Sequence, residues 1–163
     1  MNKECHVLVG IPATGKSTLR ETLVEGFAGD VFVYSTDDYI QNIADTFGKT
    51  YNDVFSDEIG NATKVMEDRL SDELNIKNSV IVWDQTNTGA KKRRKIVNRV
   101  RKAGYRVIVH AIKLPDASQI DDWKEIARRW KSRPGKTIPE NILKNMVNSY
   151  TLPTFDEGFD QIN

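Results

Sequence analysis

Gly10-Ile11-Pro12-Ala13-Thr14-Gly15-Lys16-Ser17-Thr18 decides how the rest of the chain is read. The stretch fits G-x-x-x-x-G-K-[ST], a pattern whose backbone N–H groups turn inward around an anion. Gly10 and Gly15 are expected to take backbone conformations closed to residues with a Cβ. His6–Val9, just before it, is a short apolar run that reads as a buried strand, and Ser17 to about Phe27 reads as a helix. A strand, a glycine loop and a helix N-terminus in that order make a phosphate cradle. Lys16 adds a point charge, and Ser17 offers a hydroxyl to a Mg²⁺ ion bridging the phosphates. The alternative is an ordinary strand-to-helix turn with a surface lysine; the flanking elements favour the cradle.

Outward from the loop, apolar runs recur at Val31–Tyr34, Val80–Trp83 and Val107–Ile112, with helical patterns between them. This alternation predicts an α/β fold, a parallel sheet with helices on both faces. Thr36 or Asp37 is expected to cap the helix after the second strand. Ser56-Asp57-Glu58 is expected to open a long helix carrying Ile59, Ala62, Val65, Met66, Leu70 and Leu74 as an apolar stripe. Further helices are expected over Ala90–Ala103, Asp116–Ser132 and from Pro139 to about Tyr150. The tail from Leu152 to Phe159 reads as a docked irregular end. No repeat or linker interrupts the 163 residues, so one domain over 1–163 is expected.

Composition narrows the classes. The single cysteine, Cys5, excludes a disulfide framework and reads as a core-edge thiol. With no signal peptide and no apolar run long enough to span a bilayer, a cytoplasmic protein without a membrane partner is expected. Oligomeric state stays open. The net charge is +1, yet residues 85–115 contain no acid while Lys91, Lys92, Arg93, Arg94, Lys95, Arg99, Arg101 and Lys102 crowd there. Such segregation points to a polyanionic partner or to a solvated basic helix face. His6 and His110 fall inside strands and read as structural. Trp123 and Trp130, seven apart on one helix, read as core.

Phosphoryl transfer needs a cradle, a metal, a group that orients the nucleophile, and cations over the moving charge. Asp37 and Asp84 each follow a strand, at the sheet edge where open α/β folds bind ligands. Asp84 could hold Mg²⁺, or cap the following turn. Asp37 is the candidate general base. Asp38 reads as a helix-start residue pointing away. Arg129 and Arg133, four apart, would share one helix face of a lid over about 128–137, or be plain surface charges.

Gly10-Ile11-Pro12, Gly15-Lys16-Ser17-Thr18, Asp37-Asp38-Tyr39, Asp84-x-Thr86-Asn87, Arg129 with Arg133, Ile138-Pro139 and Glu157-Gly158-Phe159 occur in that order. Together they resemble the kinase domain of polynucleotide 5′-hydroxyl kinases, of both the phage and the animal end-repair type. The resemblance implies a P-loop kinase core with a short arginine-bearing lid, and transfer of the ATP γ-phosphate to a 5′-hydroxyl end of DNA or RNA with Mg²⁺. It implies that Gly10, Ala13, Thr14, Gly15, Lys16, Ser17, Thr18, Arg129 and Arg133 bind the nucleotide. It implies that Ser17 and Asp84 hold the metal, and that Lys16, Asp37 and Arg133 are catalytic. Asp37, Thr86 and Asn87 would meet the acceptor. The sequence departs from the pattern at Ile40, where the phage type has an arginine that grips the acceptor's 3′ phosphate. The length leaves no room for the phosphatase domain that often accompanies the kinase, so a kinase alone, or one half of a system encoded elsewhere, is expected. A hydroxymethylated base in DNA, a small alcohol or a nucleoside stays open as acceptor, as does a nucleotide-binding module without turnover.

Overall fold

The innermost strand is β1 (Glu4–Val9), and Cys5, Val7, Leu8 and Val9 on it are wholly buried. A strand covered on both faces reads as a near-continuous apolar run, and here only Glu4 at the strand start and the buried His6 interrupt it. Burial also pushes the Cys5 thiol well up from its ordinary value, so it is an inert core group. In the computed structural model, which describes residues 3–163 and leaves Met1 and Asn2 outside, the chain continues through α1 (Lys16–Glu25), β2 (Val31–Tyr34) and α2 (Thr36–Thr46). It goes on through α3 (Tyr51–Glu73), β3 (Val80–Trp83), α4 (Ala90–Lys102), β4 (Arg106–Ala111), α5 (Ile120–Lys131) and α6 (Glu140–Asn148). A single 3₁₀ turn (Phe155–Glu157) and β5 (Gln161–Ile162) complete it.

Among the described residues five strands run parallel in the order β2-β3-β1-β4-β5. Val7 pairs with Trp83, and Tyr34 pairs with the same residue from the other side. The carboxyl ends of β1, β2 and β3 therefore lie side by side, and the loops leaving them are the phosphate loop, the Ser35–Asp38 turn and the Asp84–Thr88 turn. Two backbone bonds stitch these loops: Gly10 N–H donates to the Thr86 carbonyl at 3.0 Å, and Asp84 N–H to the Tyr34 carbonyl at 2.9 Å. His6 and His110 meet inside the sheet, His6 Nδ1 lying 2.9 Å from His110 Nε2.

Several expectations change in detail. Ser35, not Thr36 or Asp37, caps α2, its hydroxyl accepting from Asp38 N–H at 3.2 Å. Helix α3 starts at Tyr51, five residues before the expected Ser56 signal. Thr50 and Asp53 form a capping box there, each side chain accepting from the other's backbone. Helix α5 starts at Ile120 rather than Asp116. Neither Trp123 nor Trp130 joins the core; both are half-buried, and Ile126 between them is the buried residue. The tail from Leu152 to Phe159 is irregular apart from the 3₁₀ turn, as expected, and β5 just beyond it extends the sheet beside β4. A two-residue strand containing Gln161 carries too little pattern to be read from sequence.

The basic helix is where the structure changes the reading most. Arg93 has no exposed surface, and its Nε and Nη2 donate to the two carboxylate oxygens of buried Glu157 at 2.7 and 2.8 Å. Its Nη1 donates to the carbonyls of Asn87 and Thr88 at 3.0 and 2.8 Å. Arg99 pairs with Glu67, and Arg101 with Asp160 at 2.8 Å. These arginines hold the tail, α3 and α4 together rather than standing free for a partner. Among the described residues no helix is long and apolar enough to cross a membrane.

Arg93→Met is expected to cost about 3–5 kcal/mol of unfolding free energy, because it strands the Glu157 carboxylate in the interior. Urea denaturation checks this. The double change Arg93→Met with Glu157→Met should cost markedly less than the sum of the singles, and simple additivity would show that the pair is not coupled.

Candidate functional site

The loop entering α1 holds two residues at positive φ, Gly15 at 95° and Ala13 at 68°. Gly10 is not among them. Its need is space, since a Cβ there would sit 3.2 Å from Thr14 Oγ1 and 3.4 Å from Ile112 Cβ. Thr14 Oγ1 donates to the Ile11 carbonyl at 2.7 Å, and Trp130 Nε1 donates to the Pro12 carbonyl at 2.6 Å. Helix α5 thus braces the loop from outside. A strained residue held this firmly is the pattern expected of a preorganised binding loop.

Around the loop opens a cleft of about 920 Å³. Lys16 Nζ donates to Asp84 Oδ1 at 2.7 Å, and Arg20 bridges Asp84 and Asp38 at 3.0 and 2.7 Å. Asp38 therefore does not point away; it belongs to this network. Asp37, one residue before it, has both carboxylate oxygens engaged. Tyr51 Oη donates to Oδ1 and Lys136 Nζ to Oδ2, each at 2.7 Å. The Lys136 ammonium also sits over the Tyr51 ring, 4.0 Å from its centre. Burial alone would raise the Asp37 carboxyl, but Lys136, the Tyr51 hydroxyl and the Lys16 charge hold it below its ordinary value. Burial and the bond to Asp37 push the Tyr51 hydroxyl up. Burial and then the Lys16 charge pull the Lys92 ammonium down.

Of the expected site residues, Ala13, Gly15, Lys16, Ser17, Asp37, Asp84, Thr86, Arg129 and Arg133 all line this cleft. Gly10 and Thr14 shape the loop from beneath. Thr18 is exposed on α1 and lies outside the lining, as does Asn87. The Asn87 amide is buried and donates to the Leu8 carbonyl at 2.8 Å, so this side chain ties β1 to the following turn instead of facing an acceptor. Arg129 and Arg133 do not share a helix face, because α5 ends at Lys131. Arg133 reaches the cleft from the turn beyond it. That turn is pinned to the start of α3: Asn52 N–H donates to the Gly135 carbonyl at 3.0 Å, and Thr137 N–H to Asn52 Oδ1 at 3.1 Å. Gly135 has φ 65°, and a Cβ there would lie 2.8 Å from Thr50 Cβ.

Sequence reasoning missed Arg20, Tyr51, Lys92 and Lys136. Arg20 stands four residues after Lys16 on α1, a spacing that could have found it. Lys136 falls within the lid segment, about 128–137, where the sequence pointed to cations. Nothing in the sequence marked Tyr51, which meets Asp37 only through the fold.

Ser17 and Asp84 offer the hard oxygen donors that Mg²⁺ takes. Among the described residues no three His, Cys, Asp or Glu side chains gather as a cage, which suits an ion held chiefly by phosphates and water. A second cavity of about 210 Å³ is lined by the apolar Ile112, Pro115 and Ile126 and by the charged Lys113, Asp122 and Glu125, and Ala13 and Arg129 line both it and the cleft.

A glycine loop between β1 and α1, in a parallel sheet with helices on both faces and an arginine-bearing turn over the cleft, defines the P-loop kinase fold. The sequence matches the family described as AAA domain over residues 5–153, and the chain belongs to that family. A structure from the PezAT chromosomal toxin–antitoxin system of Streptococcus pneumoniae is similar at 15% identity and a TM-score of 0.64, with 99% of this chain and 66% of that one covered. A candidate kinase from Chloroflexus aurantiacus is similar at 16% identity and a TM-score of 0.66, with 99% and 87% covered.

Lys136→Met is expected to raise the Asp37 carboxyl pKa, because it removes the ammonium that offsets the cost of burying the anion. Tyr51→Phe should raise it less, since a neutral donor stabilises the anion less than an ammonium does. Carbon-detected NMR titration of the aspartate carboxyls reads both, and an Asp37 pKa unmoved by loss of Lys136 would show that the contact is not kept in solution.

Proposed function

We propose that this protein is an ATP-dependent phosphotransferase that moves the γ-phosphate of ATP to a hydroxyl group. The observation that carries the reading is one cleft shared by the phosphate loop, Asp84, Asp37 and the arginines of the lid turn. Binding a nucleotide alone requires neither Asp37 nor the lid cations. The loop amides and the α1 N-terminus would take the β-phosphate. Lys16 would exchange Asp84 for the β- and γ-oxygens. Ser17 and Asp84 would hold Mg²⁺, which would supply positive charge against the phosphates. The acceptor oxygen forms a bond to the γ-phosphorus while the bond to the ADP oxygen breaks, and the acceptor proton passes to Asp37. Arg129 and Arg133 supply positive charge along the path, as transfer through a charge-dispersed transition state requires.

For the acceptor, the ordered motif set from Asp37-Asp38-Tyr39 to Glu157-Gly158-Phe159 supports a 5′-hydroxyl end of DNA or RNA. One observation favours a smaller acceptor. Ile40 is wholly buried and the α4 arginines are engaged within the chain, so the cationic surface for a polyanion is thinner than the sequence implies.

The test is γ-labelled ATP with Mg²⁺ against 5′-hydroxyl DNA and RNA, 5′-phosphorylated DNA carrying hydroxymethyl bases, and nucleosides. Label is expected on 5′-hydroxyl ends, with Asp37→Asn about 10²- to 10⁴-fold slower. Label on the blocked, base-modified DNA or on nucleosides would move the acceptor. ATP binding with no transfer to any acceptor would overturn the phosphotransferase reading.

A further inference from the structure

We propose that Lys92 is a further catalytic residue of the cleft, its ammonium meeting the γ-phosphoryl group from the α4 side. The proposal rests on the phosphotransferase reading and adds to that site a cation that belongs to neither the phosphate loop nor the lid. Among the described residues six cations line the cleft against three carboxylates. Four of the six are engaged within the chain: Lys16 and Arg20 with Asp84, Lys136 with Asp37, and Arg129 with Glu125. The other two, Lys92 and Arg133, have no carboxylate partner among the described residues. They are the charges left for an incoming anion.

The placement of Lys92 sets it apart from a plain surface lysine. It stands in the first turn of α4, where no acid is present to pair with it. Its neighbour Arg93 is clamped by Glu157 and by the Asn87 and Thr88 carbonyls, in the turn that follows Asp84. That clamp fixes the backbone from which Lys92 reaches the cleft, while its flexible four-carbon stem lets the ammonium follow a moving group. Lys92 is exposed, yet enough protein surrounds the ammonium that burial is the first cause of its lowered pKa and the Lys16 charge the second. Two like charges sharing a cleft both gain from an anion placed against them. The γ-phosphoryl group suits that place, because its charge is spread over three equatorial oxygens as it moves. Lys16 comes from the loop, Arg133 from the turn after α5 and Lys92 from α4, one cation from each of three elements. No bond forms at Lys92 and no proton leaves it; the ammonium stabilises charge on the group in transit. ADP lacks that group, so Lys92 should favour the triphosphate over the diphosphate.

Isothermal titration calorimetry with Mg²⁺ tests this by measuring AMP-PNP and ADP on the unchanged protein, Lys92→Met, Lys92→Arg and Lys91→Met. Lys92→Met should weaken AMP-PNP about ten- to a hundredfold, as loss of one charged contact does, and leave ADP within about threefold. Lys92→Arg should bring AMP-PNP back to within about threefold of the unchanged protein. Lys91 is exposed and lies outside the cleft lining, so Lys91→Met removes the same net charge and should change neither affinity. The Lys92 side chain makes no hydrogen bond among the described residues, so Lys92→Met should melt at an unchanged temperature. An AMP-PNP to ADP ratio kept in Lys92→Met, or lowered as much by Lys91→Met, would overturn the proposal. So would that ratio kept while thymidine 3′-monophosphate binds more weakly to Lys92→Met, since the lysine would then hold a phosphate of the acceptor. In each of those failures the unchanged protein still binds AMP-PNP. Binding of neither nucleotide by the unchanged protein would instead overturn the phosphotransferase reading and the role of Lys92 with it.

Discussion

The ion pair between Lys16 and Asp84 joins the phosphate loop to the strand beside it. Their side chains are only 17% and 8% exposed, and Arg20 adds a second cation to the same carboxylate. A carboxylate that far from water requires compensation, and here it comes from the residue that elsewhere in such loops grips phosphate. Two cations face Asp84, and Lys136 faces Asp37. An arriving polyphosphate can take over Lys16 because Arg20 remains to hold Asp84. In the proposed mechanism that exchange would free the Lys16 ammonium for phosphate.

Strand order makes the exchange possible. β3 lies between β2 and β1, so the acids that end β2 and β3 fall on the same edge as the loop that ends β1. The Arg93–Glu157 pair fixes this edge from behind, since the same guanidinium bonds the carbonyls of Asn87 and Thr88 in the turn that follows Asp84. The tail thus acts at a distance on the turn that presents Asp84 and Thr86. Asn87, at φ 47° with its amide on the Leu8 carbonyl, is the other half of that brace.

The fold was legible because β1, β2, β3 and β4 are short apolar runs separated by helical periodicity, and burial on both faces of the sheet leaves that mark on a sequence. The loop and Asp37, Asp84, Thr86, Arg129 and Arg133 were legible because each stands at a strand end or in a basic run. Other features depend on pairing across the chain and left no local mark. Lys136 reaches Asp37 across 99 residues of sequence, and Arg93 reaches Glu157 across 64. A run of lysine and arginine looks the same whether it faces solvent or neutralises buried acids, and for α4 only the three-dimensional partners decide between them. Asn87 misled for the opposite reason, since a polar residue in a motif at a sheet edge is as useful for tying loops as for touching substrate.

A crystal structure of the protein with Mg²⁺ and AMP-PNP tests the central claim most directly. The account predicts the β- and γ-phosphates within the Gly10–Thr18 loop, Lys16 Nζ moved from Asp84 to the phosphate oxygens, and Asp84 still held by Arg20. Asp37 should face the γ-phosphate across a gap that admits a hydroxyl. Nucleotide bound elsewhere, or Lys16 still paired with Asp84 beneath bound phosphates, would contradict it.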